Sequence, residues 1–78
     1  MEEPGMIKKS VKKQIDSKML ELNMNLSNNY KDLAHGALKE LDALIEQLKD
    51  SGDLKEKDYN KYRKTVDDYK IRLADYHH

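Results

Sequence analysis

The tripeptide Ser51-Gly52-Asp53 interrupts an otherwise continuous helical pattern running from Asn28 to Tyr76. Gly52 can take the left-handed conformation that ends a helix, and Asp53 carries a side-chain oxygen able to cap the next one, with Glu56 at capping-box distance. Two long helices joined by so short a turn fold back on each other. An antiparallel helical hairpin is therefore the frame within which the rest of the chain must fit.

In the first arm, Leu26, Tyr30, Leu33, Ala37, Leu38, Leu41, Leu44, Ile45 and Leu48 recur at threes and fours, the period of an amphipathic helix. At about 100° per residue they fill an arc of roughly 140°, wide enough to meet two neighbouring helices. Asp32, Lys39, Asp42, Glu46 and Lys49 fall outside it and read as solvated. In the second arm, Tyr59, Tyr62, Val66, Tyr69, Leu73 and Tyr76 alternate by three and four without a slip, a heptad seam. Tyrosine buries its ring but needs its hydroxyl wet or hydrogen-bonded. The seam thus reads either as the edge of a small bundle or as a set of partner anchors.

Upstream, Pro4 and Gly5 disfavour regular structure, and residues 1–5 read as a disordered leader. Ile7, Val11, Ile15 and Leu22, with Met19 at the margin, form one stripe and predict a helix over residues 6–22. From Leu20 to Leu26 the pattern becomes strict alternation, the period of a strand. With no second strand to pair with, residues 23–29 read as a turn in which Ser27, Asn28 or Asn29 caps the following helix. The rival is one rod over residues 7–50, which Asn23, Asn25, Asn28 and Asn29 disfavour.

The expected fold is all-α: a small antiparallel three-helix bundle built on the long hairpin, with helices near 6–22, 28–51 and 54–76 in a single domain over residues 6–78. Its core is expected to be built from Leu, Ile, Val, Met and Tyr, because the 78 residues contain no Trp or Phe. A core this thin makes self-association a natural supplement. The absence of cysteine excludes disulfides, thiolate metal sites and cysteine nucleophiles. No apolar run follows the N-terminal lysines, so neither a secretory signal nor a membrane span is read, and a soluble cytoplasmic protein is expected. His77 and His78 are assigned no metal role.

Formal charge sums to zero, but the first twenty residues hold five lysines against three acids. Lys8, Lys9, Lys12 and Lys13 are a candidate nucleic-acid contact, one electrostatic footprint of phosphate binding. They lack arginine for base reading and aromatic residues for stacking. Asp32 and His35 stand at a spacing used by metal sites of helical bundles, yet His35 lies outside the apolar arc and reads as a surface residue. No Gly-rich phosphate loop and no nucleophile-base pair on a buried face is present, so neither an enzyme nor a cofactor is expected.

Over Leu44 to Tyr62 the chain resembles the helix, Ser-Gly turn, helix pattern of bacterial SHOCT modules, through Leu44, Leu48, Gly52, Leu54 and Tyr59. The arms here are longer than that module needs. The resemblance implies an interaction or assembly role. The first functional expectation is accordingly a small non-enzymatic helical interaction protein, an accessory protein of a bacterium or mobile element. Its partner would be itself, as a homodimer, or another helical protein, and Tyr59, Tyr62, Val66, Tyr69, Leu73 and Tyr76 are the candidate interface. The alternative is a nucleic-acid-binding accessory protein that uses the lysine cluster.

Overall fold

The structure is a computed structural model that describes residues 8–75. Three helices occupy that span: α1 (Lys9–Ser27), α2 (Lys31–Ser51) and α3 (Glu56–Asp75). Helix pairs α1–α2 and α2–α3 pack directly, and the molecule is an all-α three-helix bundle with α2 in the middle. The wide apolar arc of α2 explains the order. Ala34, Ala37, Leu38, Leu41, Ile45 and Leu48 are all buried, and only a broad face can serve two neighbours.

Both turns follow one design. After α2, Gly52 adopts φ +85°; its N–H donates to the Lys49 carbonyl at 3.1 Å and that of Asp53 to Leu48 at 2.9 Å. After α1, Asn29 takes φ +60°, its N–H donates to Leu26 at 3.1 Å, and that of Tyr30 donates to Asn25 at 2.8 Å. These are paired Schellman closures, which satisfy the last carbonyls of a helix and turn the chain sharply. Asparagine is the side chain best able to replace glycine there.

Several boundaries differ from the sequence reading. Lys8 is extended, with φ −62° and ψ 145°, so α1 begins at Lys9 and not near residue 6. It then continues through Asn23 to Ser27, where a turn was expected. The alternating stretch is helical. Leu22 is buried and Leu26 half-buried, while Leu20 and Met24 point outward. Burying Leu22 and Leu26 against the other helices outweighs the low helix propensity of two asparagines. The second helix starts at Lys31 rather than 28, and its N-cap residue is Tyr30, whose side chain makes no capping bond. Tyr30 therefore lies in the turn, and it is 53% exposed; Leu33, in the first helical turn at the margin of the arc, is 60% exposed.

Asp53 does not cap α3, which begins at Glu56. Its carboxylate instead lies 2.9 Å from the Ser51 hydroxyl, which is also within 3.0 Å of the Leu48 carbonyl. Leu54, in the connection itself, is buried and plugs the end of the hairpin.

The interior joins Val11, Ile15 and Leu22 of α1 to the α2 face and to Tyr62, Val66 and Leu73 of α3. Ile15, Leu22, Leu41, Ile45 and Val66 are sealed from water, each contributing about 1.5–3 kcal/mol of transfer free energy. Yet α1 and α3 share no Cα pair within 8 Å among the described residues. What closes that side of the bundle is side chain alone.

Candidate functional site

The tyrosine seam contributes to that closing through Tyr69, whose hydroxyl crosses to α1. Tyr62 is 5% exposed, Val66 and Leu73 are buried, and Tyr59 and Tyr69 pack half-buried against the core. Each half-buried ring finds a partner for its hydroxyl on a different helix. Tyr59 donates to Glu46 of α2 at 2.6 Å, and Tyr69 donates across to Asn23 of α1 at 2.9 Å. Burial raises the Tyr62 phenol above its ordinary pKa, and the nearby Asp16 carboxylate adds to the effect. Five of the six candidate interface residues are thus engaged inside this one chain. Tyr76 lies outside the described residues.

On the α2 side of α3, beside Tyr59, Arg63 gathers three carboxylates, two of them on α2. Its Nη1 donates to Asp42 at 2.6 Å and to Glu46 at 2.9 Å, and its Nη2 donates to Asp67 at 3.1 Å. Lys70 reaches the second Asp42 oxygen at 3.1 Å. The hydrogen bond from Arg63 is the main cause holding Asp42 below the ordinary carboxylate range. Glu46 is lowered too, first by the Tyr59 hydroxyl and then by Arg63, while Arg63 itself is raised. The expectation that Asp42 and Glu46 are simply solvated is corrected: they lie where the rim of α2 meets α3, within reach of a long guanidinium. A helical wheel of α2 alone contains no signal for this, because the partner belongs to another helix.

The four N-terminal lysines are all exposed. Lys12 is paired with Asp16 one turn on, at 2.9 Å, and that bond raises its pKa. Lys8, Lys9 and Lys13 enter no ion pair among the described residues. The first turn of α1 carries no acidic residue, and no side chain caps it. Lys18, further along, bridges to Glu40 of α2 and to Glu21. It borders an open groove between α1 and α2 lined by Gln14, Ser17, Glu40, Leu44 and Gln47.

Asp32 and His35 are both exposed on α2. Among the described residues no group of three His, Asp or Glu side chains is placed to hold a metal ion. No helix there is long and apolar enough to cross a membrane. Compared with protein-family models, with curated proteins and with solved structures, the chain matches none.

Proposed function

We propose that this chain is a small non-enzymatic helical protein that works by interaction and assembly, and that its contact surface is the outside of α1 rather than the tyrosine seam. The observation that carries this reading is the outward pair Leu20 and Met24, 61% and 55% exposed. They lie one turn apart on the same helix that sends Leu22 and Leu26 inward. An apolar pair at i, i+4 is the minimal helical ridge that a second helix can pack against. The favoured partner is another copy of the chain or another helical protein.

Light scattering after size exclusion, at two concentrations, tests it. A mass above that of one chain, reduced to one chain by Leu20→Glu with Met24→Glu, is expected. A single-chain mass at both concentrations, together with no helical partner recovered by crosslinking, would turn the reading down.

A second reading, a nucleic-acid accessory protein, is favoured by a separate observation: Lys9 and Lys13 on α1, with Lys8 just before it, stand exposed, and the first turn of the helix has no acid to balance them. Titration of duplex DNA and duplex RNA at low salt is its test. Binding that weakens steeply with salt supports it.

A further inference from the structure

We infer that α1 and α3 together present one basic face that takes the phosphate backbone of duplex nucleic acid, an inference that rests on the second reading above. The fold assembles this face from segments far apart in sequence. Asn23 meets Tyr69 at a separation of 46 residues, and one heptad earlier on both helices the Asp16 carboxylate acts electrostatically on Tyr62. The two helices therefore run parallel with their first halves level. By the same offset, Lys9 and Lys13 on α1 stand at the height of residues 55 and 59, the end of α3 that carries Lys57 and Lys61, with Lys64 about a turn further on. Tyr62 lies at the junction: it feels the charges of Lys12 and Asp16 on α1, and the Lys61 amine stands 5.6 Å from its ring centroid.

At about 100° per residue, Lys9 and Lys13 follow Asp16 around α1 on the side turned away from α2. Lys57, Lys61 and Lys64 occupy the matching side of α3. All five are exposed, and none enters an ion pair among the described residues. The acids near them are Asp16, held by Lys12, and Asp58, with Asp68 further along α3. The balance is positive.

Stability does not explain the placement of the α1 lysines. Lysines crowd the positive end of the α1 dipole, where cations are disfavoured. A row of phosphates would reverse the sign of that interaction. Within each row the lysines stand about one helical turn apart, and the rows lie on backbones more than 8 Å from each other, so each can follow a different strand. With no arginine among the five, contact is with phosphates and is indifferent to sequence. Tyr62, the ring at the junction of the two rows, is buried and so offers no anchor to a membrane surface.

The experiment is fluorescence anisotropy of the full chain with a 30-base-pair duplex DNA and the matching duplex RNA between 50 and 200 mM NaCl, run alongside phosphatidylserine vesicles. Five phosphate contacts give a log-log salt slope of about −4.5, or about 500-fold weaker binding across that range. Lys57, Lys61 and Lys64 to Ala is expected to cut the slope to about −2, and Lys9 with Lys13 to Ala to about −3. Circular dichroism confirms that both variants keep the fold. Binding lost with the α1 lysines but untouched by the α3 lysines would overturn the two-helix face and leave the second reading standing. No binding at 50 mM, or binding to vesicles alone, would overturn both.

Discussion

Two residues with positive φ set the direction of the whole chain. Adding a Cβ at Gly52 meets no atom within 4 Å, so the cost of Gly52→Ala is conformational alone, about 1–2 kcal/mol for a left-handed alanine. Asn29→Gly changes the matching turn in the other direction, because glycine relieves the strain at φ +60° but adds unfolded-state entropy. Its net effect is expected within about 0.5 kcal/mol of zero. Urea unfolding of the two variants, read by circular dichroism, checks the asymmetry. Gly52 was legible in the sequence because glycine advertises its conformation. Asn29 was not, since asparagine caps the starts of helices as readily as it closes their ends.

Among the elements, α2 and α3 are joined by Arg63 as well as by apolar packing. Asp42 and Glu46 both have depressed pKa values in the folded chain. Their contribution is therefore fully present above the ordinary carboxylate range and is lost as pH falls through that range and below. Arg63→Ala removes the cause. At neutral pH it is expected to destabilise by about 1–2 kcal/mol, since the site is partly open to water and screened. The gap between variant and parent should narrow as pH drops below 4, measured by thermal unfolding at stepped pH. Helical periodicity identified all three helices and the α2 face that serves both neighbours. It misplaced the end of α1, where the Leu20–Leu26 alternation matches a strand in isolation and a two-faced helix once α2 is present. Periodicity also says nothing of what lies across a gap, which is why the level alignment of the lysines on α1 and α3 could not be read.

As a whole molecule, the bundle has little core to spare, and α1 supplies Val11, Ile15 and Leu22 to it. A chain beginning at residue 29 would leave half of the α2 face uncovered. Such a hairpin is expected either to lose most of its helical signal or to recover it by pairing into a four-helix bundle, and light scattering with circular dichroism separates the two from a folded monomer. The intact chain, by contrast, closes that face itself, with Tyr69 reaching across to α1.

That reach has a kinetic meaning. The α1–α2 and α2–α3 contacts are local in sequence, so either hairpin can form early and quickly. The Asn23–Tyr69 bond, by contrast, joins residues 46 apart and can close only after both hairpins have docked. Tyr69→Phe should therefore leave the folding rate nearly unchanged and speed unfolding, the mark of a contact absent from the transition state. The last bond to form is the first to open, and the bundle parts most readily along the line where α1 and α3 meet through side chains alone.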